Sequence, residues 1–245
     1  MKGNFSEQAE QYARYRPLYP ASLYAEILSL TTGRLAAWDC ACGNGQVARE
    51  LVNHFTQVYA TDMSAEQLAY APTHDRIQYR QATAQQSGLP SSSCDLICVA
   101  QALHWFAAPE FYKEVARVGT AQATLAIWGY ALPVLPNSLQ DTLLYLYEDV
   151  LDGCWDPARR HIDAEYHSLE IPFTLLTQKK ISTILNWSKE HFMGYLDTWS
   201  ALRSYRRQTG TDPLPGIGKR IAELWSTATP IPIQFPFFVL VFRLP

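Results

Sequence analysis

Apolar and polar positions along this chain switch between two periods, and the switches mark its elements. Residues 35–38 are apolar and run into Asp39. Small residues follow at Ala41, Gly43 and Gly45, and an amphipathic stretch covers 46–55. That order predicts a strand, a tight glycine turn and a helix. The unit then repeats. Strand 58–61 precedes helix 65–71, which Pro72 ends. Strand 77–82 leads into a polar loop over 83–93, and strand 95–100 precedes a helix at 109–118. Strand 123–128 leads through a proline-rich turn to helix 139–151. Strands alternating with helices through short connections predict a parallel sheet covered on both faces, the α/β class.

Two helices are expected ahead of this alternation, at 4–15 and 21–30. Asn4 and Glu7 have the spacing of an N-cap and its N3 partner. Pro17 and Pro20 separate the two, and Gly33 follows the second. A doubly wound sheet does not need such a region, so it is available as a lid. Beyond residue 130 the pattern is less regular: a strand at 180–187, helices at 188–197, 200–208 and 215–226, and a last apolar strand at 235–242. A closing strand after those helices enters the sheet antiparallel. The expected organisation is one domain over 1–245: a helical lid at 1–33, a cofactor-binding core at 34–130, and a substrate-side half at 131–245.

Composition narrows the partners. With 245 residues, 48% apolar and 18% charged, there is material for one core. The net charge is −3, with no block of like charge, so neither nucleic acid nor an anionic membrane surface is an expected partner. A small molecule is. The apolar run 235–242 is too short to span a bilayer, and 1–10 lacks the apolar core of a signal peptide, so a cytoplasmic location is the default expectation. The 5 cysteines are an odd number, as reduced thiols allow. Cys40-x-Cys42 and Cys94-x-x-x-Cys98 offer four thiolates, but neither has the usual zinc spacing. Small buried residues on two adjacent central strands explain them, and no metal is expected.

The glycine turn carries the first chemistry. Gly43 and Gly45 permit positive φ and remove Cβ atoms from a ligand's path. Backbone N–H groups then sit at a helix N-terminus. Asp39 can accept hydrogen bonds from a cationic amine. Ala41 predicts that its position does not need a glycine-only conformation. Asp62 ends the second strand, where an acid holds both hydroxyls of a ribose or caps the next helix. Gly43-x-Gly45-x-x-Ala48 also fits a dinucleotide fingerprint, so this stretch alone leaves two cofactor classes open. His104, Trp105 and Phe106 follow strand 4, beside the switch point of such a sheet, and would wall a cleft there.

Asp39, Ala41, Gly43 and Gly45 resemble motif I of the class I S-adenosylmethionine-dependent methyltransferases. Thr83-Ala84-Gln85, Gly88-Leu-Pro90 and Cys94-Asp95-Leu-Ile97 resemble that family's stretch after strand 3. Ala102-Leu-His104-Trp105-Phe106, Tyr12-x-x-Tyr15-Arg-Pro-x-Tyr-Pro20 and Thr198-Trp-Ser-Ala201 are similar to its trans-aconitate methyltransferase-like subfamily. The resemblance covers nearly the whole chain. It implies a seven-stranded sheet of order 3-2-1-4-5-7-6 with strand 7 reversed, S-adenosylmethionine as cofactor, and methyl transfer to a small molecule, with a tilt towards a carboxylate. It places Met63 on the adenine, Thr83, Ala84 and Gln85 at its edge, and Gln101 and Ala102 along the methionine part. Tyr12 and Arg16 would close over the cofactor. His104 is the candidate base, and His104, Trp105, Trp199 and Arg203 are the expected acceptor contacts. Arg203, Arg206 and Arg207 fall on one helical face, which reads either as an anion site or as a solvated basic face. A nicotinamide-dependent oxidoreductase and a non-catalytic S-adenosylmethionine-binding protein remain as alternatives.

Overall fold

The computed structural model describes Gln11 and residues 14–245. Seven strands form one sheet: β1 Ala36–Cys40, β2 Gln57–Asp62, β3 Ile77–Gln81, β4 Cys94–Ala100, β5 Gly119–Tyr130, β6 Thr174–Trp187 and β7 Ile231–Arg243. Their order is β3-β2-β1-β4-β5-β7-β6. β1 to β5 are parallel, and β7 runs antiparallel to both β5 and β6. The expected order and the reversed strand are therefore present.

β1 lies at the centre, and all five of its residues are buried. Its side chains alternate between two apolar clusters. Ala37 joins Val47, Leu51 and Trp128 on one face, while Trp38 and Cys40 join Val99, Phe111 and Val115 on the other. The buried Trp38 indole donates to Thr61 Oγ1 at 2.8 Å, so its N–H is not left without a partner. The five cysteines are free thiols and all are buried. No helix among the described residues is long and apolar enough to cross a membrane.

Several element bounds differ from expectation for physical reasons. β6 begins at Thr174 rather than at 180 and is largely exposed in its first half. It is a sheet edge, and an edge tolerates the polar Thr177, Gln178 and Lys179 that precede the expected start. β7 begins at Ile231 and contains Pro232 and Pro236, residues that argue against a strand in sequence. The helix expected at 139–151 is α-helical at Asn137–Leu144 and continues as a π-turn at Tyr145–Val150. The helix after β1 is regular only over Gln46–Leu51. The expected helix 4–15 lies largely outside the described residues, and so does Tyr12.

Candidate active site

The carboxyl ends of β1, β2 and β4 meet at the point where the strand order reverses. Asp39, in β1, is 1% exposed. Its Oδ2 accepts the Ala48 N–H at 2.9 Å and so holds the first turn of helix Gln46–Leu51. Its Oδ1 is buried and has no partner. Burial pushes this carboxyl up to about 7; the Ala48 N–H opposes the shift and the nearby Asp62 charge adds to it.

The turn after β1 is left-handed three times over, with φ +58° at Ala41, +54° at Gly43 and +78° at Gly45. The expectation for Ala41 is corrected here. An alanine holds a conformation that costs a non-glycine residue about 1–2 kcal/mol, a strain of the kind that gathers at functional turns. The two glycines do different jobs. A Cβ on Gly43 would meet only Gln67 Oε1, at 3.7 Å, so this glycine leaves open space. A Cβ on Gly45 would lie 2.5 Å from Tyr79 Oη, so this glycine makes room for a tyrosine of the protein itself.

Asp62 ties β2 to that turn. Its Oδ2 accepts the Gly43 N–H and its Oδ1 the Ser64 N–H, both at 2.8 Å. The cap of helix Ala65–Leu68 is Ser64, whose Oγ accepts the Gln67 N–H at 3.2 Å. Met63 stands beside it, 74% exposed. Ala84 is buried, Gln85 half-buried and Thr83 exposed. Gln101 follows β4 with φ +53°, its Nε2 donating to the Tyr130 carbonyl at 3.2 Å and its Oε1 buried without a partner. Ala102 is buried next to it.

Asp39 Oδ1, Gln67 Oε1 and Gln101 Oε1 are thus buried acceptors lacking donors. A buried polar atom left unpaired costs about 1–3 kcal/mol. Together with the space over Gly43, they fit a ligand that brings a cationic amine and hydroxyl donors.

Past β4 the chain forms a 3₁₀ turn at Leu103–Trp105. His104 is half-buried on it, and its Nδ1 lies 3.1 Å from Tyr166 Oη. Burial lowers the His104 pKa to about 4; the Arg159 cation lowers it further and outweighs the opposing Asp156. Burial pushes the Tyr166 phenol up. Trp105 is 57% exposed, with its ring centroid 4.6 Å from that of His104. Phe106 packs edge-on against Phe111. Tyr166 was not marked by any motif. It is 1% exposed and, with Glu165, takes a positive φ, +62° and +50°.

The cap is aromatic. Trp199 is buried against Trp155, Tyr147 and Tyr195. The Arg159 guanidinium lies 4.4 Å from the Trp155 ring centroid and 5.3 Å from that of Tyr147, and its Nε donates to Tyr147 Oη at 2.8 Å. Arg159 sits on the turn Pro157–Arg159, where Asp156-Pro157 reads only as a turn signal. Of the three arginines on helix Ser200–Thr209, Arg203 and Arg207 are exposed, and Arg206 pairs with Asp197 at 2.7 Å and Asp212 at 3.0 Å. Arg16, expected to meet the cofactor's carboxylate, donates to Tyr130 Oη at 2.8 Å and to the Thr198 carbonyl at 3.1 Å.

Comparison with known proteins agrees with this geometry. Residues 38–127 match the methyltransferase domain family. A Dictyostelium discoideum protein assigned as a methyltransferase is 32% identical over 245 residues, spanning 97% of this chain and 93% of that protein. A structure described as a type II methyltransferase from Anaeromyxobacter dehalogenans matches with a TM-score of 0.86 and 34% identity, over 94% of this chain and 99% of that one. Haemonchus contortus phosphoethanolamine N-methyltransferase 2, solved with S-adenosylhomocysteine, shares the fold at a TM-score of 0.51 and 13% identity, over 98% of this chain and 57% of that one. With buried acceptors awaiting donors at the ends of β1 and β4 and an acid at the end of β2, the chain belongs to the class I methyltransferases, with S-adenosylmethionine as its cofactor.

Proposed function

We propose that this enzyme methylates a carboxylate oxygen of a small molecule. When bound, S-adenosylmethionine supplies a methyl group on a positively charged sulfur. Asp62 would hold the ribose hydroxyls, with Met63 against the adenine and Thr83, Ala84 and Gln85 at its edge. Asp39, Gln101 and Ala102 would border the methionine part, with the Asp39 carboxylate taking the ammonium. Trp105 and Trp199 wall the acceptor's side.

The pairing of His104 with Tyr166 supports the carboxylate. Burial keeps the Tyr166 phenol protonated, and we assign it as the donor to Nδ1 of a neutral imidazole, 3.1 Å away. The ring hydrogen then resides on Nε2, and His104 offers a donor rather than a proton acceptor. A histidine with a pKa near 4 is also a weak base. A hydroxyl or amine acceptor needs a proton removed; a carboxylate arrives as a nucleophile. What the chain then contributes is orientation and the exclusion of water.

The test is a methyl-transfer assay over a panel of carboxylates, alcohols and amines between pH 6 and 8. The expected result, at saturating S-adenosylmethionine, is formation of methyl esters at a rate nearly flat across that range. Methylation confined to alcohols or amines would overturn the reading.

A further inference from the structure

We infer that Arg159 is the residue that binds the acceptor's anionic group, an assignment that rests on the carboxylate reading above. The turn Pro157–Arg159 packs against the turn Leu103–Trp105 that carries His104. The Arg159 charge acts on His104 and Tyr166 on the β4 side, and on Tyr147 and Tyr195 on the cap side. Tyr166 and Tyr195 are almost fully buried, so the Arg159 charge acts there through little water.

The guanidinium is held without being used up. Trp155 and Tyr147 flank it, and the Tyr147 phenol oxygen takes the Nε hydrogen. Its ion pair with Asp163 is long, 3.9 Å, and also falls on Nε. A guanidinium carries five N–H donors in a planar fork, and the two terminal nitrogens match the two oxygens of a carboxylate.

Carboxylates do stand nearby. Arg159 lines a cavity of about 400 Å³ together with Glu148, Asp152, Asp156, Asp163 and Arg160. Those four acids are exposed at its rim, where water and salt screen them. Arg159 is the half-buried charge of the set. At His104, where Asp156 and His161 are also felt, its effect exceeds both. The field at His104 is therefore set more by Arg159 than by Asp156. Such a field favours an anionic acceptor beside a neutral imidazole donor.

The experiment uses the full chain saturated with S-adenosylhomocysteine, with citrate and succinate as probes, and compares wild type, Arg159→Met and Arg159→Lys. Arg159→Met should weaken probe binding at least tenfold and leave the S-adenosylhomocysteine dissociation constant within twofold. It should raise the His104 pKa by NMR titration, while Arg159→Lys keeps it low. With a carboxylate acceptor, Arg159→Met should raise KM about tenfold and change kcat little, the signature of lost uniform binding. Equal probe binding by wild type and Arg159→Met would overturn the inference. So would parallel loss of probe and S-adenosylhomocysteine, which marks a structural role. A wild type that binds neither probe overturns the anion site outright. If the acceptor proves neutral, the carboxylate reading falls by itself. Arg159 then stands as an acceptor residue only if the KM for that neutral acceptor rises in Arg159→Met, and an unchanged KM refutes it.

Discussion

The ring of Tyr15 lies on the bare Cα of Gly194: a Cβ there would fall 2.5 Å from Tyr15 Cε1. Gly194 is inside helix Lys189–Asp197, where alanine would be preferred by about 1 kcal/mol. The glycine is explained by the tyrosine that rests on it. Arg16 beside it reaches Tyr130 and Thr198, and Gln46 Nε2 donates to the Pro17 carbonyl at 3.3 Å. The segment before helix Ala21–Ser29 is thus bonded both to the cap and to the helix after the glycine turn.

Gly194→Ala should therefore release this segment while strengthening its own helix. The expected outcome is faster limited proteolysis before Ala21, a weaker protection by S-adenosylhomocysteine, and a melting temperature equal to or above that of wild type. Cleavage indistinguishable from wild type would mean that Tyr15 simply shifts aside and that the segment is no lid.

The two glycines of the turn should respond differently to one methyl group. At Gly45 the methyl meets the Tyr79 phenol and the backbone has φ +78°, so Gly45→Ala should lose about 2–4 kcal/mol of stability in denaturant unfolding. At Gly43 nothing but the end of Gln67 is near, so Gly43→Ala should cost only the left-handed backbone, about 1–2 kcal/mol. Its main effect should be on S-adenosylhomocysteine binding, read by calorimetry, because the methyl enters the ligand's space. A Gly43→Ala protein that binds as wild type does would place the ligand elsewhere.

Much of this site is readable from sequence because it is local. The Asp39 to Gly45 turn, Asp62, and the His104-Trp105-Phe106 run each lie within a few residues of a strand end, and strand ends are what alternation of apolar and polar positions shows best. Local pattern also explains why β6 extends beyond its expected start, since an edge strand need not look apolar. It fails where the determinant is distant. Tyr166 lies 62 positions from His104, and its strained backbone leaves no trace in composition. Arg159 carries no motif, whereas three arginines at helical spacing mark Ser200–Thr209, where Arg206 is tied to Asp197 and Asp212. Spacing on one helix says which side chains share a face; only packing says which way that face looks. The room that Gly45 makes for Tyr79 is hidden for the same reason, because that tyrosine comes from β3.

Asp62→Ala should do more than remove a ribose contact. Its carboxylate takes the N–H groups of Gly43 and Ser64, so the alanine leaves two backbone donors of the turn unsatisfied. Cofactor affinity should fall by about 1.5–3 kcal/mol from the lost charged hydrogen bonds alone, and the melting temperature should fall with it. Asp62→Asn keeps the shape and one acceptor and should recover part of the stability. A folded Asp62→Ala protein with an unchanged dissociation constant in calorimetric titration would remove the residue from the cofactor site.

Asp39 gives a pH dependence of definite sign. Its carboxyl has an ordinary value of 3.8 and is pushed up to about 7 in the folded chain, chiefly by burial. Between those values the unfolded chain has released this proton and the folded chain keeps it. The unfolded state then binds fewer protons, so this group's contribution to stability declines as pH rises from about 4 to 7 and levels off above. Asp39→Asn cannot ionise. It should match wild type in stability at pH 4 and exceed it at pH 8, by about 4 kcal/mol for a shift of this order. The charge that destabilises the empty site is the one an ammonium group needs. S-adenosylhomocysteine should therefore bind more tightly as pH rises from 6 to 8. At pH 6 binding should release close to one proton, seen as a calorimetric enthalpy that depends on the buffer's ionisation heat. Asp39→Asn should lose both the proton release and most of the affinity while melting higher. A variant that binds normally, or wild-type binding without buffer dependence, would show that the ammonium is held by another group.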